Sequence, residues 1–221
     1  MRTCLIALAV LGCCALMFGD EPQAHTASAT EAPVAGAASS APTSPISPVI
    51  VIGFVGGYVS HNNLSHMEAH LAAQIRAVYP TGVYAAAFEN HRRNSAYQAI
   101  LHVLDANHDG HLSDREKDEA RIILYGHSWG ASEAVTLARQ LQKDNVPVLL
   151  TIQVDSIEKY RENDTVIPAN VEEAVNFYQP HGFLHGTSQI RAADPERTKI
   201  LGNFRYDYSK QSVQCYAAYP W

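Results

Sequence analysis

Arg121-Ile-Ile-Leu-Tyr-Gly-His-Ser-Trp-Gly-Ala-Ser-Glu-Ala134 decides the fold. Arg121 to Tyr125 is apolar and rich in β-branched residues, the composition of a strand buried on both faces. Ala131 to Gln142 is rich in small and straight-chain residues that favour a helix. Between them stands Gly126-His127-Ser128-Trp129-Gly130, a G-x-S-x-G turn. A strand running straight into this turn and a helix leaving it hold the serine strained, with its hydroxyl projecting above the sheet. The glycines are needed because a Cβ there would meet the strand or the helix. The helix N-terminus also favours negative charge developing at the turn.

The same alternation extends upstream. Val49 to Val55 is a continuous apolar run ended by Gly56-Gly57. Ser65 with Glu68 has the spacing of a capping box, and Met67, Leu71, Ile75 and Val78 follow at helical intervals. Pro80-Thr81-Gly82 stops that helix, and Val83 to Phe88 is a second strand. Tyr97, Ile100, Leu101 and Leu104 mark the next helix, and Val146 to Val154 a fourth strand. Strands alternating with helices predict an α/β, doubly wound, mostly parallel sheet in a single domain. Beyond Asp155 the pattern weakens. Asn170 with Glu173 predicts the start of a short helix, and Ile200 to Tyr206 a strand.

Residues 49 to about 155 resemble the core of the α/β-hydrolase superfamily, on Gly126–Gly130 and on Gly53-Phe54-Val55-Gly56-Gly57. The resemblance implies a serine hydrolase with Ser128 as nucleophile, a Ser-His-acid triad and an oxyanion hole. The backbone N–H of Trp129 would be one donor, and Val55 or Gly56 would supply the other. An activated serine needs a histidine to take its proton and an acid to orient that histidine. Asp155, ending the fourth strand, is the expected acid, with Asp164 in reserve. His181 and His185 are the histidines that follow it, and His185, before Gly186, is preferred. Pro168 through Asn170-Val171 to Asn176-Phe177-Tyr178-Gln179 also resembles bacterial hydrolases related to thioesterases and lipases. In that group a later histidine, after the segment matching Leu201-Gly202-Asn203-Phe204, is expected. Either His181 or His185 completes the triad, or the chain is a truncated, impaired form.

A second motif lies just upstream. Asp105-Ala-Asn-His-Asp-Gly-His-Leu-Ser-Asp-Arg-Glu116 matches the twelve-residue EF-hand loop. Asp105, Asn107 and Asp109 offer side-chain oxygens, and Gly110 permits the turn. His111 would give its carbonyl, Ser113 a direct or water-mediated ligand, and Glu116 two carboxylate oxygens. The expectation is a structural Ca2+ ion, with no organic cofactor. Ser113 and Glu116 also have capping-box spacing. His66 and His70, four apart on a helix, have a zinc-compatible spacing without a third ligand nearby.

Composition sets limits on partners. The chain has 221 residues, 47 % hydrophobic, and a formal net charge of −6. Such acidity gives phosphate backbones no basic face, so a nucleic-acid partner is not expected. Residues 1–19 carry Arg2 and an apolar run from Leu5, which predicts a signal peptide or lipoprotein signal. Val10-Leu11-Gly12-Cys13 resembles a lipobox, so a lipidated Cys13 is a possible membrane tether. Residues 20–48 are rich in Ala, Ser, Thr and Pro and predict a disordered tether. The folded part is then 49–221. Cys4, Cys13 and Cys14 belong to the leader, leaving only Cys215 and no internal disulfide. These features predict an exported protein, periplasmic, secreted or anchored to the envelope, acting on a small-molecule ester or thioester. A calcium-binding hydrolase-fold module without turnover, and an acyltransferase, are the alternatives.

Overall fold

A computed structural model describes residues 47–181 and 185–207. The leader, its lipobox at Cys13, Cys215 and nearly all of the tether lie outside the described residues. The elements are β1 (Val49–Val55), α1 (Met67–Val78), β2 (Val83–Glu89), α2 (Arg93–Leu104), α3 (Asp114–Asp118), β3 (Arg121–His127), α4 (Trp129–Lys143), β4 (Val148–Val154), β5 (Val166–Ile167), β6 (Val171–Tyr178), β7 (Arg191–Ala192) and β8 (Lys199–Arg205).

Six strands form one sheet in the order β2-β1-β3-β4-β6-β8, and every neighbouring pair is parallel. The architecture is the expected doubly wound α/β sheet. Period two along the strands sorts the side chains between its faces. Ile50, Ile52 and Phe54 of β1 and Ile122 and Leu124 of β3 join the core cluster that includes Ile100, Leu104, Val135, Leu137 and Leu141 from α2 and α4. Val51, Ala85 and Tyr125 point the other way, against Leu71 and Ile75 of α1.

The order in which strands are added to the sheet reverses at β1. The first crossover places β2 on one side of β1, and the next carries β3 to the other side. In an open parallel sheet, the crevice above the strand ends at such a reversal is where ligands bind. Here it lies between the loop after β1 and the turn after β3.

Three local expectations are corrected. Asn170 to Glu173 does not start a helix. Val171–Tyr178 is the strand β6, with Ala174 fully buried between β4 and β8. Its apolar residues satisfy the sheet, and burial there outweighs a capping pattern. Asn170 instead donates from Nδ2 to Ala138 O at 3.0 Å and Val146 O at 2.9 Å. Ser65 does not cap α1 either. The N-cap is His66, without a side-chain hydrogen bond, and Glu68 is buried. Finally, β4 begins at Val148 rather than Val146, since Pro147 has no N–H for the ladder.

Leu124 is fully buried, whereas Tyr160 is 85 % exposed. Leu124→Ala is expected to lower unfolding free energy by about 2–5 kcal/mol. Tyr160→Ala should change it by less than about 1 kcal/mol. Urea unfolding followed by circular dichroism checks both.

Candidate functional site

Ser128 sits where β3 becomes α4, with φ 57° and ψ −127°. No L-residue adopts this conformation without cost; about 1–3 kcal/mol is typical. Close packing imposes it. A Cβ on Gly126 would lie 2.3 Å from Gly130 O, and one on Gly130 would lie 2.1 Å from Phe54 O. The start of α4 is thus pressed against the ends of β3 and β1 with no room for a side chain. The Ser128 N–H donates to Val154 O at 2.9 Å, and its carbonyl accepts from Ala131 N at 3.0 Å.

The loop after β1 runs alongside. A Cβ on Gly56 would come within 3.1 Å of Ser128 Cβ and 2.8 Å of His127 O. Gly56 is therefore in direct contact with the serine turn. Val55 is fully buried and packs with Ala69, Ala72 and Ala87, so only its backbone is available to a ligand. The Trp129 N–H, first in α4, has no acceptor among the described residues, as befits a helix start. The Trp129 ring meets that of Tyr58 edge-on, with centroids 5.5 Å apart.

Under this turn lies a buried polar group that the sequence did not reveal. Glu68 is 6 % exposed, and its Oε1 stands 3.5 Å from His127 Nδ1. Burial raises the Glu68 carboxyl above its ordinary range, while its own N–H and that of Gly56 pull it back. Burial, reinforced by nearby His66, lowers His127 to about 4. Tyr125 donates its hydroxyl to Glu68 O at 2.7 Å. Burial, then the Glu68 charge, pushes that phenol well above its usual value. A buried acid and a histidine held neutral thus form the floor of the site.

Asp155 follows β4 with φ 45°. Its Oδ1 accepts from Gln179 N at 2.7 Å. Burial raises its carboxyl, and the Gln179 bond opposes this. Gly186 is packed against it, since a Cβ there would lie 2.4 Å from Asp155 Cα. His185 precedes this contact in the chain and is exposed. It lines a cavity of 540 Å³ with Ser156, Ile157, Tyr178, Thr187 and Gln189. Ser128 does not line this cavity, and no hydrogen bond joins His185 to Asp155 or Ser128 among the described residues. His181 instead places Nε2 3.4 Å from Asp207 Oδ2. Asp164, the reserve acid, is fully buried and accepts from Ser156 Oγ.

Another pair escaped sequence reading. His61 Nδ1 stands 2.7 Å from Glu89 Oε1, at the end of β2. Burial would raise Glu89, but the bonds from His61 outweigh it and bring the carboxyl down to about 2. Twenty-eight positions separate the two residues, so no local spacing signals the pair.

The 105–116 loop closes on itself. Gly110, with φ 84°, donates its N–H to Asp105 Oδ2 at 2.9 Å. Asp109 N reaches Asn107 Oδ1 at 3.0 Å, and His111 N reaches Asp109 Oδ1 at 2.8 Å. Glu116 accepts from Ala106 N and from Ser113 N, each at 2.9 Å, and completes a capping box for α3 with Ser113. The Ser113 bonds, ahead of any burial, hold its carboxyl below the usual range. Among the described residues no three His, Cys, Asp or Glu side chains converge on one point, at His66 and His70 or here. The loop's donor set is nonetheless all oxygen, the chemistry calcium takes. Each bonded carboxylate oxygen also keeps a further lone pair.

No protein-family model and no curated protein matches the chain. Among solved structures it is similar to the esterase LipW from Mycobacterium marinum, at 15 % identity and a TM-score of 0.33, over 51 % of this chain and 37 % of that one. It is similar to RedJ with a PEG molecule bound in the active site, at 14 % identity and a TM-score of 0.36, over 79 % of this chain and 86 % of that one. It is also similar to the RedJ thioesterase from the prodiginine pathway of Streptomyces coelicolor, at 13 % and 0.34, with the same coverage.

The lowered His127 sets a pH dependence. Its ordinary value is 6.5 and its folded value about 4. Between these the unfolded chain binds a proton that the folded chain does not, so stability falls as pH falls. From pH 7 to 4 the native protein is expected to lose up to about 3 kcal/mol more than His127→Asn. Glu68 works in the opposite sense in both proteins, so the difference isolates His127. Thermal unfolding across that range measures it.

Proposed function

We propose that this chain is an exported serine hydrolase that cleaves a carboxylic ester or thioester through an acyl-enzyme. The observation that carries the reading is Ser128 at φ 57°, wedged between a buried strand and the N-terminus of a 15-residue helix, with Gly56 against its Cβ. This is the strained strand-to-helix turn that exposes a nucleophilic hydroxyl. Ser128 Oγ attacks the acyl carbon while His185 takes its proton, and Asp155 orients the imidazole. The carbonyl oxygen becomes an oxyanion facing the Trp129 N–H and a second N–H from the Val55–Gly56 loop. The C–O or C–S bond breaks, and the alcohol or thiol leaves with the proton from His185. Water then attacks the acyl-enzyme by the same route and frees the acid. The helix N-terminus favours the developing charge.

The all-oxygen 105–116 loop supports a structural Ca2+ held by Asp105, Asn107, Asp109, the His111 carbonyl, Ser113 and Glu116. The ion would brace the connection from α2 through α3 into β3. The leader supports export, with Cys13 as a lipid anchor where it is modified.

One observation favours a second reading. Among the described residues His185 has no bond to Asp155 or Ser128, and His181 faces Asp207. That suits a calcium-binding module of the same fold without turnover.

A fluorophosphonate probe separates the readings, because its phosphorus accepts the serine oxygen as fluoride leaves. Purified protein is expected to be labelled at Ser128, located by peptide mass spectrometry, with no label in Ser128→Ala. Absence of labelling would favour the binding module. Independently, calcium at a hundred times its Kd is expected to raise unfolding free energy by about 2.7 kcal/mol. Asp109→Asn or Glu116→Gln should remove most of that gain, read as a Tm shift with and without chelator. No shift in the native protein would sink the calcium assignment.

A further inference from the structure

Tyr58 is 96 % exposed, yet the chain is tied down on both sides of it. Gly57 O accepts from Asn90 Nδ2. His61 donates its N–H to Glu89 Oε1 at 3.2 Å, and its Nδ1 stands 2.7 Å from the same oxygen. Glu89 ends β2 and Asn90 follows it, so both anchors stand on one strand end. Tyr58 is carried between them. Its ring meets that of Trp129 edge-on, with centroids 5.5 Å apart. Trp129 is half-buried and follows Ser128 directly in the chain. The contact covers so little of Tyr58 that the faces of its ring are left to solvent, beside the nucleophile.

We infer that Tyr58, with Trp129, forms the subsite for the acyl part of the substrate and selects an acyl group that carries an aromatic ring. The inference rests on the serine hydrolase reading above, in which His185 returns the proton to the leaving alcohol or thiol. The leaving group must then face the histidine, and the acyl substituent on the same tetrahedral carbon points elsewhere. In the sheet, β1 and β4 flank β3 on opposite sides, and β6 lies beyond β4. The proposed acid follows β4 and the proposed base follows β6, whereas the loop with Tyr58 follows β1. Ser128, at the end of β3, stands between them. The leaving group is thus on the β4 side, and the acyl group on the β1 side, against the ring pair. A flat ring can lie offset on a face of Tyr58 or edge-on to it, arrangements that aromatic pairs favour over and above the area they bury. A flexible alkyl chain gains only area there and loses rotamer freedom when held. The loop, already anchored at Gly57 and His61, presents its ring with little ordering left to do.

The test compares two p-nitrophenyl esters on the full chain, the phenylacetate and the butyrate, which share a leaving group and differ by a ring in the acyl part. For the native protein kcat/KM is expected to be about three- to tenfold higher with the phenylacetate, the range an aromatic pair contributes. Tyr58→Ala should erase most of this preference by raising KM for the phenylacetate, with kcat changing less, the pattern of lost uniform binding. Tyr58→Phe keeps the ring and should restore the native ratio. Tyr160→Ala, at the other highly exposed tyrosine, should leave the ratio unaltered. Because both esters are read on each variant, the fraction of folded enzyme cancels from the ratio. Native protein labelled at Ser128 that does not favour the phenylacetate, or a Tyr58→Ala ratio equal to the native one, would overturn the aryl subsite and leave the hydrolase reading standing. Native protein that is not labelled overturns that reading and this inference together.

Discussion

The contact between the start of α4 and the end of β1 governs this structure. Gly130 has Phe54 O where a side chain would begin, and Gly126 has Gly130 O. Such proximity leaves the chain one way to turn, and Ser128 takes the conformational cost. The cost is met by burial: Phe54, Leu124, Val135 and Leu137 are all fully buried around the junction. The parallel sheet brings β1 beside β3, and the reversal of strand order across β1 opens the crevice above them. The serine stands at the mouth of that crevice because the sheet, the helix and the glycines leave it no other place.

The floor of the crevice is electrostatically unusual. Glu68, His127 and Tyr125 are buried together, each shifted toward its neutral form. Desolvation is the leading cause in all three. The α4 N-terminus is a positive end facing the serine oxygen. A protonated His127 would add a full charge but would have to be held without water, which its lowered value opposes. The same low-polarity setting strengthens any hydrogen bond made to an oxyanion above it.

The parts written in local chemistry were legible in the sequence. Buried strands appear as continuous apolar runs, and the Gly126–Gly130 turn announces its geometry because only glycine fits its contacts. Gly56 has the same reason in its contacts, whereas Gly57 is favoured by its φ of 57° with open space around it. What failed depends on distant partners. Val171 to Tyr178 carries a capping pattern, yet β4 and β8 claim it for the sheet. Ser65 and Glu68 have the right spacing, but Glu68 turns inward to a histidine 59 positions away. Asn90, between Glu89 and His91, looks like any polar turn. Its amide reaches carbonyls 35 and 33 residues upstream. The proposed acid and histidine are hard to read because Asp155 and His185 lie outside the helices and strands, where no periodicity marks them.

The segment after β4 has a larger part than its lack of secondary structure suggests. Lys159 reaches Asn90 and Glu133, Glu162 reaches Arg93 and Thr136, and Arg139 reaches the carbonyls of Asn163 and Val166. This irregular stretch is therefore pinned to α2 and α4 by side chains rather than by a ladder. Asp155 opens the same stretch, and Ile157 N donates to Ser128 O at 3.3 Å. One segment thus ties together the serine turn, the proposed acid and the end of β2 at Asn90. Buried charges such as Glu133 are costly unless fully partnered, and here Lys159 and Arg93 both partner it. Removing either leaves the carboxylate with a single cation, at one of its two oxygens. The crevice is thus bounded by the sheet on one side and by such a network on the other, with the Ser128 turn and the loop at Gly56 packed against each other between them.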